Sequence, residues 1–257
     1  LEKDKLKQNK PKLLNKNLNA IKSRLSWRCH FIQKLESQPT IETSCMHPFY
    51  DELRKDNFNH EYYEAWKKGL TGYPFIDACM RSLNFNGWIT FRMRAMLVSF
   101  ASYDLWLDWR ITGHHLAQTF TDYEPGIHYS QLQMQSGVTG INTLRIYNPI
   151  KQSMDHDKNG KFIKKWVGEL RQVPEAWIHE PWKMDLKTQE NINCFIGRDY
   201  PEPIVNHTLA IKNAKTKISS IFKKDGYRNQ SNMVFKKLGS RTRTKSTKTI
   251  SNQLQLI

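Results

Sequence analysis

Apolar residues recur at helical intervals along most of this chain. Between residues 18 and 35 they follow steps of three and four, which predicts a helix. Residues 1–19, rich in Lys, Asn and Leu, predict a frayed or partly helical lead-in, with Pro11 as a break. Alternating strand patterns are scarce and short. The predicted fold class is therefore mainly α.

Turn and cap residues divide the rest of the pattern into further helices. Helical spacing is predicted over 60–68, 74–87, 88–103, 104–121 and 160–171. Gly69 suits the C-terminal cap of the first of these, and Pro74 suits the first turn of the next. Residues 122–160 carry several Gly and Pro residues and are predicted to be mostly loop with short turns.

The net charge of +16 is concentrated at the two ends of the chain. Residues 1–24 hold 8 basic and 2 acidic residues, and residues 208–257 hold 12 basic and 1 acidic residue. Residues 25–207 are close to neutral, with 20 basic and 21 acidic residues. Basic ends raise affinity for nucleic acid through counterion release, although solvated, disordered tails are the commoner meaning of such runs.

These patterns predict three parts: a basic lead-in over 1–19, one helical domain over 20–224, and a basic disordered tail over 225–257. No run of 18 apolar residues and no signal peptide occur, so no membrane association is predicted. The four cysteines are widely spaced without a CxxC pair, which favours reduced thiols in a cytoplasmic protein over a metal site or a disulfide framework.

One block, from Trp66 to Trp109, carries the most specific signal. Its fixed positions are Trp66, Thr71, Gly72, Pro74, Ile76, Asp77, Ala78, Met80, Arg81, Leu83, Gly87, Trp88, Arg92 and Arg94. This spacing resembles the C-terminal FAD-binding helical domain of the cryptochrome/DNA photolyase family. Further matches, among them Arg145–Pro149 and Tyr200–Val205, extend the resemblance over roughly 18–224. The resemblance implies an all-helical domain around a bound FAD.

The resemblance also implies a set of FAD-binding residues: Trp88, Arg94, Asp122, Tyr123, Glu124 and His128. In the family, the positions of Arg94 and Asp122 form an ion pair beside the flavin ring, and a guanidinium supplies a positive charge that cannot lose its proton. Without the resemblance, an ordinary salt bridge between helices is the simpler interpretation. Glu124 corresponds to an acid at the flavin N3 edge, and His128 replaces an Asn that faces flavin N5.

Electron transfer and substrate binding are implied by a second set of positions. Trp109 corresponds to the middle member of the family's tryptophan relay, whereas Leu132 replaces the member next to the flavin. Trp27, Arg28 and Arg92 correspond to residues that hold damaged DNA, where an aromatic wall and cations are needed. For Trp27, core packing is the alternative. Other substrate positions depart from the family pattern, namely Arg24, Phe91 and Ala95.

The function implied is that of a DNA photolyase, a carbon–carbon lyase in which light drives an electron from reduced FAD to a pyrimidine dimer. A non-repairing, cryptochrome-like blue-light flavoprotein is the alternative that the altered positions favour. A truncated product without FAD is a third. It is favoured because the family's antenna domain and phosphate-cradle segment have no counterpart in this sequence. DNA is the implied partner, a monomer is expected, and no metal site is predicted.

Overall fold

The computed structural model describes residues 2–55 and 58–239, with side chains from residue 13 onward. Within these ranges the chain forms eleven α-helices and no β-strand, only an isolated bridge between Ile196 and Tyr200. In chain order they are α1 (Glu2–Ser37), α2 (His60–Lys68), α3 (Pro74–Asn86), α4 (Phe91–Ser99), α5 (Trp109–Thr119), α6 (Pro125–Gln135), α7 (Pro149–His156), α8 (Lys161–Trp166), α9 (Leu186–Asn191), α10 (His207–Phe222) and α11 (Tyr227–Leu238). The all-helical fold class is confirmed.

The predicted ends of α2 and α3 are confirmed in detail. Gly69 takes a left-handed conformation (φ 66°), and its N–H donates to the carbonyls of Ala65 and Trp66. Pro74 occupies the first turn of α3, where the N–H it lacks would have had no partner within the helix. Gly87 ends α3 with φ 68°.

Helix α3 forms the centre of the core and packs against α2, α4, α7 and α8. Asp77 on this helix is fully buried, and its carboxylate accepts hydrogen bonds from the Thr71 N–H and hydroxyl, the Gly72 N–H and the Tyr200 hydroxyl. Gly72 has no room for a side chain, because an added Cβ would lie 2.2 Å from the Glu202 carbonyl oxygen. The fixed spacing of Thr, Gly and Asp therefore anchors distant segments to α3.

Several predicted boundaries were wrong. Helix α1 runs without interruption past Pro11, so the lead-in is not a separate element. The helix predicted from Trp88 begins at Phe91 instead, and after Ser99 it widens into a π-turn over Phe100–Asp104. In that turn the Leu105 N–H donates to the Phe100 carbonyl, five residues back, which shifts the register of the chain.

The loop predicted over 122–160 contains two helices. Pro125 and Pro149, which contribute to the loop prediction, each stand at the first position of a helix, α6 and α7 respectively. Glu124 caps α6 and Asn148 caps α7 through side-chain oxygens that accept backbone N–H groups. A capping residue followed by proline is a start signal for a helix, and this signal outweighed the glycine content.

The disordered tail predicted from residue 225 is contradicted over Tyr227–Leu238, which form α11. Val234 and Leu238 are buried against Ile41 and Met46, in a small cluster beside the main core. These apolar contacts offset the cost of ordering a polar, basic segment. The remainder of the predicted tail, 240–257, lies outside the described residues.

We expect the α11 contact to contribute measurably to stability. Val234→Ala should lower the free energy of unfolding by roughly 2 kcal/mol, because it removes buried methyl groups and leaves a cavity. Met233, the adjacent residue, is 62% exposed, so Met233→Ala should change stability by less than about 0.5 kcal/mol. Urea unfolding of both variants tests this, and equal effects would show that α11 does not dock as described.

The cysteines are all unpaired, with Cys29 exposed and Cys45, Cys79 and Cys194 buried. Burial raises the pKa of the Cys45 thiol to about 12. Across the part of the chain that the structure describes, no helix has the length and apolar character needed to cross a membrane.

Candidate functional site

A cavity of about 340 Å³ opens between α4, α5, α6 and the segment that joins α5 to α6. It is lined by Trp88, Ile89, Phe91, Arg94, Ala95, Val98, Leu116, Phe120, Asp122, Tyr123, Glu124, Ile127, His128, Gln131, Leu132 and Gln135. The structure thus brings together all six residues that the resemblance assigned to cofactor binding.

The Arg94 guanidinium and the Asp122 carboxylate form a bidentate ion pair in the cavity wall. The Nη1–Oδ1 distance is 3.0 Å and the Nη2–Oδ2 distance is 2.9 Å. The Arg94 Nε–H donates to the Ile89 carbonyl, and the guanidinium carbon lies 4.1 Å from the centre of the Phe120 ring. The Asp122 carboxylate, the Ile89 carbonyl and the Phe120 ring therefore hold the positively charged Arg94 guanidinium in one position beside the cavity.

The backbone explains why these two residues meet. The Thr121 N–H donates to the Gly87 carbonyl at 3.0 Å, which ties the segment after α5 to the end of α3. A Cβ on Gly87 would lie 2.4 Å from the Thr121 methyl carbon, so only glycine permits this approach. The glycine of the Gly87–Trp88 motif thereby sets the position of Asp122 opposite Arg94.

Glu124 lines the cavity, but both of its carboxylate oxygens cap α6. They accept the N–H groups of Gly126 at 3.2 Å and Ile127 at 2.7 Å. A carboxylate has further lone pairs, so this capping does not by itself remove Glu124 from contact with a ligand. Its role at a flavin edge stays a prediction.

His128 is held in its neutral form in the cavity wall. Its Nε2 lies 2.9 Å from the Gly113 carbonyl oxygen, which can only accept, so Nε2 carries the proton and Nδ1 is an acceptor. Burial lowers the pKa of His128, and the nearby Arg94 charge lowers it further. The imidazole therefore adds no second positive charge beside Arg94 at neutral pH.

This lowered pKa predicts a pH dependence of stability. Below about pH 6.5 the unfolded chain takes up a proton on His128 that the folded chain resists, so folding weakens as the pH falls. The contribution of His128 is complete above pH 6.5 and declines below it by at most about 1.4 kcal/mol per pH unit. His128→Gln keeps an N–H donor without titrating. Its free energy of unfolding should fall less than that of the wild type between neutral and mildly acidic pH, and parallel curves would contradict the prediction.

Aromatic side chains surround the opening of the cavity. Trp88 is 52% exposed, Phe91 60% and Tyr123 40%, although all three line the cavity. Exposed apolar side chains that share one concavity are a mark of ligand-binding grooves. The opening therefore offers a stacking surface for a planar group.

Trp109 lies away from the cavity, in the core. Its indole N–H donates to Cys45 Sγ at 3.3 Å, and its ring meets the Tyr129 ring edge-on at 6.4 Å between centroids. Leu132 lines the cavity at the position where the family pattern has a tryptophan, and it packs on Gly113. The role of Trp109 as an electron relay stays a prediction.

The three residues predicted to face DNA are Trp27, Arg28 and Arg92. All three are exposed, and none of them is among the described residues that line the cavity. Trp27 is 48% exposed and stacks on Phe31, so the core-packing alternative does not hold for it. Arg28 and Arg92 are also exposed. Two further polar residues of the lining, Gln131 and Gln135, were not predicted, and their spacing of four residues is the only signal that the sequence offers for them.

Comparisons with known proteins identify relatives of this chain. The sequence profile of the FAD binding domain of DNA photolyase matches residues 21–220. A deoxyribodipyrimidine photo-lyase of Alkalihalophilus pseudofirmus is 35% identical over 194 residues, which is 74% of this chain and 40% of that protein. A cryptochrome DASH of Xenopus laevis is 35% identical over 144 residues, which is 56% of this chain and 28% of that protein.

Solved structures show the same relationship. The crystal structure of an archaeal photolyase from Sulfolobus tokodaii, which holds two FAD molecules, superimposes with a TM-score of 0.69 at 34% identity. The superposition covers 77% of this chain and 43% of the archaeal chain. This chain therefore spans less than half the length of the relatives that it matches.

Proposed function

Because this chain belongs to the family of photolyase FAD-binding domains, we propose that its cavity binds FAD and places the flavin ring beside Arg94. One observation carries the proposal: the ion pair of Arg94 and Asp122 lies in the wall of a mostly apolar cavity whose opening is ringed by exposed aromatic residues. Apolar walls with a few placed polar groups are typical of cofactor sites.

The residues present fit a flavin ring. At 340 Å³ the cavity lies near the lower end of the roughly 300–1,000 Å³ range of small-molecule sites. A flavin ring is compatible with that size, whereas the sugar and phosphate parts of FAD need surface outside it. The unprotonated Nδ1 of His128 and the remaining lone pairs of the Glu124 carboxylate are acceptors in the lining, which suits a polar heterocycle.

Five of the lining residues have a defined role under this proposal. Bound FAD would supply light absorption and one-electron chemistry. Arg94 would stabilise negative charge on the ring without giving up a proton, and Asp122 would hold the guanidinium in place. His128 would present a neutral Nδ1 acceptor. Trp88 and Tyr123 would cover the ring from water.

For the whole protein we infer photolyase activity, in which damaged DNA is the substrate. Trp27, Arg28 and Arg92 support this because they are exposed, as stacking and phosphate contacts require. Described residues 206–239 add eight basic side chains against one acid, which strengthens attraction to phosphate. The unpaired cysteines support a reducing compartment such as the cytoplasm. A monomer is expected, and size-exclusion chromatography tests it.

The test has two stages. The absorption spectrum of the purified chain in the near ultraviolet and blue, with chromatography of any released cofactor, shows whether FAD is bound or taken up. Irradiated DNA containing pyrimidine dimers is then incubated with the reduced holoprotein in light and in darkness. Light-dependent loss of dimers supports repair, and a colourless chain that takes up no added FAD would refute the cofactor proposal.

The second candidate is a blue-light flavoprotein that does not repair DNA. The substitution that favours it is Ala95 on the cavity wall, which replaces a methionine that packs on the lesion in the family pattern. Phe91 at the opening likewise replaces an amide of the family pattern. This candidate predicts a light-driven change in flavin redox state without loss of dimers, so the second stage of the test separates the two.

A further inference from the structure

Helix α1 carries a row of large apolar side chains on its surface. Every residue from 13 to 29 is exposed, and within this stretch the apolar row follows steps of four, three and four, the a/d spacing of a coiled-coil heptad. Its members, named the α1 seam, are each between 44% and 59% exposed: Leu14, Leu18, Ile21 and Leu25. Single exposed apolar residues are ordinary, whereas a contiguous row of them marks an interaction site.

The same line of α1 is covered by the rest of the domain farther along the helix. After Arg28, Ile32 and Leu35 continue the heptad spacing. Ile32 lies against α6, because a Cβ added to Gly126 would be 3.1 Å from the Ile32 Cα. Leu35 packs on the small cluster that also holds α11. The α1 seam is therefore the exposed continuation of an interface that α1 already forms with another helix.

The width of the α1 seam indicates the kind of surface that it fits. A strict a/d row is the narrow seam of a coiled coil, whereas a helix that lies on a membrane presents a broader apolar face. The e and g positions beside the row are all polar: Asn15, Asn17, Lys22 and Arg24. The α1 seam therefore fits the apolar stripe of one further helix.

The charges beside the α1 seam select among possible helices. Residues 13–29 contain four basic residues and no acidic one, namely Lys16, Lys22, Arg24 and Arg28. A second copy of this chain would bring two basic helices together, and their like charges would repel. A helix with carboxylates beside its apolar stripe would instead be attracted to Lys22 and Arg24.

We propose that the α1 seam docks an amphipathic helix of a partner protein whose apolar stripe is flanked by aspartate or glutamate. The apolar side chains of the partner cover the seam, and its carboxylates pair with Lys22 and Arg24. The partner helix lies along α1, on the line that Ile32 and Leu35 continue toward α6 and α11. This inference is independent of bound FAD, because none of the four seam residues lines the cavity.

Two labelled synthetic peptides of three heptads test the docking. Both have Leu at a and d, one has Glu at e and g, and the other has Lys there. Fluorescence anisotropy should show that the purified chain binds the acidic peptide roughly tenfold or more tightly than the basic one. Ile21→Gln should weaken binding of the acidic peptide roughly tenfold, because it removes an apolar side chain that the peptide buries.

Leu13→Gln is the matched control on the same helix. Leu13 is 58% exposed but lies off the a/d row, so the variant should bind the acidic peptide within about twofold of the wild type. Both variants should keep the melting temperature of the wild type, since Leu13 and Ile21 are exposed in the free chain. Lys22→Glu combined with Arg24→Glu should reverse the preference, so that the basic peptide binds more tightly.

Four outcomes would overturn the proposal. Two of them are failure to bind either peptide and equal binding of both. A third is an Ile21→Gln variant that binds the acidic peptide as tightly as Leu13→Gln does. The fourth is a competing occupant: a dimer in sedimentation, or binding to phosphatidylglycerol vesicles, that Ile21→Gln abolishes would assign the seam to a second copy or to a membrane surface.

Discussion

Replacement of Arg94 with methionine is expected to weaken FAD binding roughly 10- to 100-fold, the range for losing hydrogen bonds to a charged group. The variant loses the fixed positive charge beside the cavity and also leaves the Asp122 carboxylate without its partner, so a repulsive charge remains where an electron-rich ring would lie. Titration of the cofactor-free protein with FAD, followed by flavin fluorescence, measures the change.

Two further variants separate charge from geometry. Arg94→Lys keeps the charge but cannot bond both carboxylate oxygens in the same way, so an intermediate affinity is expected. Arg94→Met combined with Asp122→Asn removes both charges and should recover part of the affinity lost by Arg94→Met alone. If Arg94→Met binds FAD as tightly as the wild type, the ion pair is only a link between α4 and the segment before α6.

Replacement of Asp77 with alanine is expected to lower the free energy of unfolding by at least about 4 kcal/mol, because each of four buried donors left without an acceptor costs about 1–3 kcal/mol. The Thr71 and Gly72 N–H groups and the hydroxyls of Thr71 and Tyr200 would all lose their acceptor inside the core. Urea unfolding followed by circular dichroism measures the change. A loss of this size is a large fraction of the stability of a typical domain.

Tyr200→Phe is the matched control, because it removes one of the four hydrogen bonds and keeps the ring in place. Its expected cost is about 1 kcal/mol. If Asp77→Ala costs no more than Tyr200→Phe, the backbone of Thr71 and Gly72 must find other acceptors, and the motif would need another explanation.

The elements that could be predicted from the sequence are those whose signals are local. Gly69 and Gly87 end their helices by their own backbone freedom, and Pro74 begins one by its missing N–H. Helix α11 could not be predicted, because its apolar residues are few. They are buried against residues that include Ile41 and Met46, nearly two hundred residues earlier in the chain.

In the candidate site, too, some features could be predicted from the sequence and others could not. The ion pair of Arg94 and Asp122 was expected from the resemblance, and the structure supplies its cause in the close approach of Thr121 to Gly87. Gln133 is hydrogen-bonded to the segment that follows α1, whereas Gln131 and Gln135 line the cavity. No local pattern in the sequence predicts this difference. It depends on which segment each amide meets after folding, and alternate positions on one helix point to different surroundings.

The cysteines differ in exposure, and this difference should allow one of them to be labelled selectively. Cys29 is exposed on α1, next to Arg28 and two residues from Trp27, whereas the other thiols are buried and the Cys45 thiol resists ionisation. Because thiolates are the reactive species, a maleimide reagent should attach at Cys29 first. A spin or fluorescent label carried there would report proximity to a nucleic-acid duplex without any engineered attachment point.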